Sequence, residues 1–145
     1  MQPKYFDKMH GLGNDFIVIN ALAHPFDWDK TQIAQLANRH TGIGFDQLLI
    51  IEPSPLAECD FAYRIFNANG QEVEHCGNGA RCFGKYIRDQ RLFDFHRPLK
   101  VLVKKGIIAI EYIDSHHQVD YFRIDMGEPN FSPLSRLQHS ALNQP

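Results

Sequence analysis

The sequence predicts an α+β domain in which a curved, mixed and largely antiparallel sheet wraps around one central helix. Three observations carry this. Strand-like apolar runs outnumber the helical ones, and helical spacing appears only over residues 30–38 and in the stretch after Cys76. In the last third of the chain, residues 100–103, 107–112 and 121–126 read as three consecutive strands, an antiparallel meander. The order of strands and helices lacks the regular alternation of a doubly wound parallel sheet.

From the N-terminus, the glycine loop His10-Gly11-Leu12-Gly13-Asn14-Asp15 feeds the strand-like run Phe16-Ile17-Val18-Ile19. Asp27 or Asp29 can cap a helix over residues 30–38, whose Ile33, Leu36 and Ala37 share one face. A second glycine loop, Arg39-His40-Thr41-Gly42-Ile43-Gly44-Phe45-Asp46-Gln47, leads into Leu48-Leu49-Ile50-Ile51, a continuous apolar run that predicts a buried strand closed by Pro53 and Pro55. Residues 60–66 predict another strand, and Asn67-Ala68-Asn69-Gly70 supplies a tight turn that brings the chain back toward Cys76. In the meander the turns fall at Lys104-Lys105-Gly106 and Asp114-Ser115-His116-His117. Residues 1–130 are thus read as the folded domain. The tail, 131–145, has no clear periodicity and reads as a linker or a cut end.

The chain has 145 residues, 43% of them hydrophobic and eleven of them phenylalanine, enough for one proper core. Fifteen basic and seventeen acidic residues give a net charge of −2. The basic residues are scattered, which argues against nucleic acid or an anionic membrane surface as a partner. No stretch approaches the ~20 apolar residues of a membrane span, and the N-terminus lacks an apolar signal segment. With an odd count of three cysteines, a reducing cytoplasm is the expected compartment.

The segment Glu74-His75-Cys76-Gly77-Asn78-Gly79-Ala80-Arg81-Cys82 carries the chemistry. Ala80, Phe83 and Ile87 recur at helical spacing, so Cys76 falls near a helix N-terminus, where unpaired N–H groups and the helix dipole favour negative charge. A thiol there has its pKa drawn below the ordinary value of about 8.5. Gly77 and Gly79, lacking Cβ atoms, let the backbone approach a small ligand and aim its amides at a carboxylate. Most cysteines simply pack as small apolar groups, and Cys82, among Ala80, Phe83 and Ile87, fits that description. Cys76, with glycine and asparagine neighbours, does not. A metal site at His75, Cys76 and Cys82 is disfavoured, because no CxxC pair exists and the other histidines show no ligand spacing.

Each loop also carries an uncharged amide side chain: Asn14, Gln47, Asn67 and Asn78. Singly, each is ordinarily a turn former or cap. Together with glycine N–H groups at one rim, they could hold the amino and carboxylate groups of an amino acid and leave the thiolate as the strong base nearby. A nucleotide is disfavoured, since neither GxxxxGK[ST] nor a full GxGxxG after a strand is present.

The segments 9–16, 39–47 and 66–82, three long motifs in the right order, resemble the first half of diaminopimelate epimerase over residues 5 to 130. The resemblance implies one half of a pseudo-symmetric pair of α+β domains with the substrate between them. It also implies inversion of the α-carbon that relates LL- and meso-diaminopimelate, in lysine and peptidoglycan biosynthesis, without pyridoxal phosphate, metal or other cofactor. Carried over by position, it makes Cys76 one of two acid/base thiols and Asn14, Gln47, Asn67, Gly77 and Asn78 substrate contacts. Family members are roughly twice as long, and their second catalytic cysteine lies in the half absent here. Cys82 is a poor substitute, since six helical residues turn a net angle of about 240° from Cys76.

The chain alone is therefore expected to be inactive, unless a homodimer places two copies of Cys76 across a two-fold axis. Two rivals remain. One is a thiol enzyme in which Cys76 attacks a carbonyl with His75 or His40 as base. The other is a non-catalytic amino-acid-binding or regulatory half-domain.

Overall fold

The computed structural model describes residues 6–11, 13–74 and 77–126. Eight strands and two helices follow in the order β1 (Asp7–Gly11), β2 (Asn14–Asn20), α1 (Lys30–Ala37), β3 (Gln47–Glu52), β4 (Phe61–Asn67), β5 (Glu72–Val73), α2 (Gly77–Asp89), β6 (Leu99–Val103), β7 (Gly106–His116) and β8 (Val119–Asp125). They form one sheet in the order β1-β2-β3-β4-β6-β7-β8, with β5 also on β4. The β2–β3 and β4–β6 pairs are parallel and the others antiparallel. Strands β1 and β8, at opposite edges of the sheet, both pack on α2, so the sheet curls round that helix as the sequence predicts.

The core has two layers. Inside the curl, Ala80, Cys82, Phe83, Tyr86 and Ile87 of α2 meet Phe16, Val18, Leu49, Ile51, Tyr63 and Ile65. On the outer face, Ile33 and Ala37 of α1 cover Ile17, Ile19, Leu48 and Ile50. Strands β2 and β3 are therefore buried on both faces, which is why 16–19 and 48–51 are unbroken apolar runs instead of alternating ones. Gly84 lets α2 approach the meander closely: a Cβ there would lie 3.2 Å from Ile110 Cγ2 and from the Phe122 ring.

Local signals fix the ends of α1. The Asp29 carboxylate accepts from Gln32 N at 2.8 Å while Asp29 N donates to Gln32 Oε1 at 2.9 Å, a reciprocal cap. Of the two caps the sequence offered, Asp29 is used. The helix ends at Ala37, and Asn38 is its C-cap.

The structure differs from expectation in three places. Residues 7–11 form an edge strand, β1, so the first glycine loop is a hairpin turn with Gly13 at φ +92°. Edge strands need no apolar run, and β1 has none. The pair β5 was also not anticipated. The last turn lies later than predicted: β7 continues to His116, and His117 and Gln118, at φ 52° and 67°, make the reversal. Two consecutive left-handed residues match the twist of a tight hairpin. The predicted tail, from residue 131 on, lies outside the described residues.

Candidate active site

Asn14 opens β2, Gln47 opens β3 and Asn67 closes β4. Because β2 runs parallel to β3 and β4 runs against it, these three positions share one end of the sheet. Side chains alternate along a strand, so Asn14 follows Phe16 and Val18, Gln47 follows Leu49 and Ile51, and Asn67 follows Ile65 and Tyr63. All six are in the layer around α2. The three partly buried amides thus continue that layer as a polar row where the apolar core stops. Gln47 stands directly opposite Asn67, and its Nε2 donates to Asn67 Oδ1 at 3.1 Å.

Helix α2 is aimed at this row. Phe83 packs on Tyr63 at a centroid separation of 4.8 Å and on Phe61 at 6.2 Å, and Tyr86 lines a cavity with Asn20 at the far end of β2. The C-terminal half of α2 therefore lies at the end of the sheet away from the amides, and its first turn points back toward them. That turn begins with exposed Gly77 and partly buried Asn78, and the leading N–H groups of a helix have no partner within the helix. A Cβ on Gly77 would lie 3.2 Å from an Arg81 guanidinium nitrogen, so the first turn also carries a cation. Cys76 and His75 lie outside the described residues. In sequence Cys76 immediately precedes Gly77, the first residue of α2.

The other cysteines are unsuited to proton transfer. Cys82 is 3% exposed, within the layer around α2, as expected. Cys59 is 8% exposed, and burial, with Glu58 and Asp60 nearby, pushes its thiol pKa up. His40 is exposed in the turn after α1, its backbone N–H donating to Asn38 Oδ1 at 2.8 Å.

The second glycine loop serves α1. There, Gly42 N donates to Asn38 O at 2.8 Å and Gly44 N to Leu36 O at 2.9 Å. A Cβ on Gly42 would fall 2.4 Å from Gln35 O. Those amides close the end of α1 and are not donors for a ligand. The groove of about 960 Å³ lined by Asn20, Ala21, His24 and Tyr86 also lies at the opposite end of β2 from Asn14.

A charge cluster that the sequence did not single out lies behind the amides. Arg39 donates to both oxygens of Asp15, at 3.1 and 2.8 Å, and to Asp46 Oδ1 at 3.1 Å. Asp15 N donates to Asp46 Oδ2 at 3.0 Å, and Asp46 N to Asp15 Oδ1 at 2.8 Å. Lys8 Nζ stands 3.3 Å from Asp15 Oδ2. Asp15 is 8% exposed, and the Arg39 guanidinium, helped by Asp46 N–H and Lys8, holds its carboxyl far below the usual range. All three motif residues were visible in sequence. Their convergence was not, because it depends on β2 and β3 lying side by side.

Among the described residues no helix is long and apolar enough to cross a membrane, and no three His, Cys, Asp or Glu side chains cluster as metal ligands.

The family model described as diaminopimelate epimerase matches residues 6–132. Diaminopimelate epimerase of Chromobacterium violaceum is 52% identical over 128 residues, 88% of this chain and 45% of that protein. The protein of the same name from Paraburkholderia phytofirmans is 48% identical over 128 residues, 88% of this chain and 41% of its own length. The chain therefore spans less than half the length of these curated relatives. Among solved structures, a phenazine biosynthesis protein of the PhzF family from Bacillus anthracis superposes with a TM-score of 0.60 at 18% identity, over 83% of this chain and 38% of that one. At that identity the likeness bears on the fold alone.

Proposed function

The chain belongs to the diaminopimelate epimerase family, and from that premise we propose that it supplies one face of an active site that inverts the α-carbon of LL-diaminopimelate to give the meso isomer. The observation that carries this is the row Asn14, Gln47 and Asn67 at the sheet end toward which the first turn of α2 points.

In the proposed reaction the Cys76 thiolate takes the α-proton, forming an S–H bond as the Cα–H bond breaks. The electron pair left on Cα spreads into the substrate carboxylate. Amides of Gly77 and Asn78 and the side chains of Asn14, Gln47 and Asn67 hold that carboxylate and the amino group. Donors aimed at the carboxylate favour the transition state over the ground state, since negative charge grows there only as the proton leaves. A second acid on the opposite face returns a proton and completes the inversion. Buried Cys59 and Cys82 are unsuited to that part, so no thiol among the described residues supplies the second face. No cofactor is invoked, and a reduced thiol suits the cytoplasm.

Incubated with LL-diaminopimelate in deuterated water, the chain on its own should form no meso-diaminopimelate; any α-deuterium it introduces should enter with retention, because an S–H formed on one face exchanges with solvent and returns hydrogen to that same face. Accumulation of meso-diaminopimelate would contradict one-faced chemistry and favour a homodimer with two facing Cys76 thiols. Calorimetry with diaminopimelate separates a half-site that retains affinity, the binding-module reading, from one that needs the opposite face to bind.

A further inference from the structure

We propose that Asp15, Arg39 and Asp46 are positioning residues: a clasp on the outer face of the sheet that sets the spacing of the Asn14 and Gln47 side chains on its inner face. This deepens the reading of the amide row as an amino-acid site and rests on it for its functional meaning.

The geometry carries the inference. Asp15 follows Asn14 and Asp46 precedes Gln47, so each clasp carboxylate is one peptide away from an amide of the row. Adjacent strand residues point to opposite faces: Asp15 lies in line with Ile17, which faces α1, while Asn14 lies in line with Phe16, which faces α2. The parallel β2–β3 pairing begins at Phe16 and Gln47. Just before it, each aspartate carboxylate accepts the other residue's backbone N–H, at 3.0 and 2.8 Å. The two chain ends are therefore locked by reciprocal bonds, and Arg39 bridges both carboxylates from above. Charge-assisted bonds of this type are short and directional, and a planar guanidinium fixes both acceptors where an ammonium would not. Lys8, which also donates to Gly44 O at 3.3 Å, ties the clasp to β1 and to the α1 loop.

The test compares Arg39→Ala with Arg64→Ala. Arg64 is a matched control, because it makes an equally two-pronged contact with Glu52, at 2.8 and 2.8 Å, on the same sheet but away from the row. The side-chain NH₂ resonances of Gln47 and Asn14 are recorded in each, together with denaturant stability. The clasp predicts that both resonances move in Arg39→Ala and stay in place in Arg64→Ala, and that Arg39→Lys restores stability more fully than it restores the resonances. Unmoved Gln47 and Asn14 signals in Arg39→Ala, or equal movement in Arg64→Ala, would overturn it. Diaminopimelate is then added. Where wild type binds it, Arg39→Ala should bind about tenfold more weakly. If the wild-type amides ignore it, the amino-acid reading of the site fails while the resonance comparison still decides the clasp.

Discussion

Gln47 Nε2 and Asn67 Oδ1 are 3.1 Å apart at directly opposed positions of β3 and β4. This bond orients both amides, since an Asn67 whose oxygen faces Gln47 must turn its NH₂ to the other side. Substitution can separate its structural share from its binding share. Asn67→Ala removes the acceptor and should cost about 0.5–1.5 kcal/mol in urea unfolding. Asn67→Asp keeps an acceptor and should unfold near wild type at neutral pH, yet it sets a negative charge where the substrate carboxylate is proposed to lie. Loss of diaminopimelate binding with stability retained is the expected outcome for that variant.

Stability in acid should register Asp15. Its folded pKa is held below the unfolded value of about 3.9, first by Arg39. A depressed carboxylate contributes stability that is fully present above the unfolded pKa and lost as pH falls through the folded one. Asp15→Asn should therefore be less stable than wild type near neutrality, and the gap between the two curves should narrow steadily as pH falls below about 4. Urea midpoints measured across that range check this. Parallel curves would show that the pair with Arg39 contributes nothing.

Two glycines at positive φ should respond differently to the same change. A Cβ on Gly70, at φ +85°, would lie 2.2 Å from Lys30 O, whereas one on Gly13, at φ +92°, meets nothing within 4 Å. Gly13→Ala then carries only the left-handed backbone penalty of about 1–2 kcal/mol. Gly70→Ala adds a collision with the backbone at the start of α1, and it should lower the thermal midpoint well beyond Gly13→Ala.

Much of the fold was legible because its signals are local. The apolar run 48–51, the Asp29 cap and the helical spacing of Ala80, Phe83 and Ile87 each follow from a few neighbouring residues. Strand β1 was hidden because an edge strand buries little and needs no apolar pattern. The work of Gly42 and Gly44 was not legible for a related reason: a glycine loop looks alike whether its N–H groups meet a ligand or close a helix end, and only the packing on α1 decides. The sequence shows Asn14, Gln47 and Asn67 as amides beside turns. Their placement at one sheet end follows from strand direction, which no residue encodes alone.

Alkylation of the reduced native chain by iodoacetamide at neutral pH, followed cysteine by cysteine by peptide mass, bears most directly on the proposed thiolate. Cys76 should react first and faster than any cysteine of the urea-unfolded chain, with Cys59 and Cys82 protected by burial. A Cys76 that reacts no faster folded than unfolded would contradict an activated thiol at the head of α2.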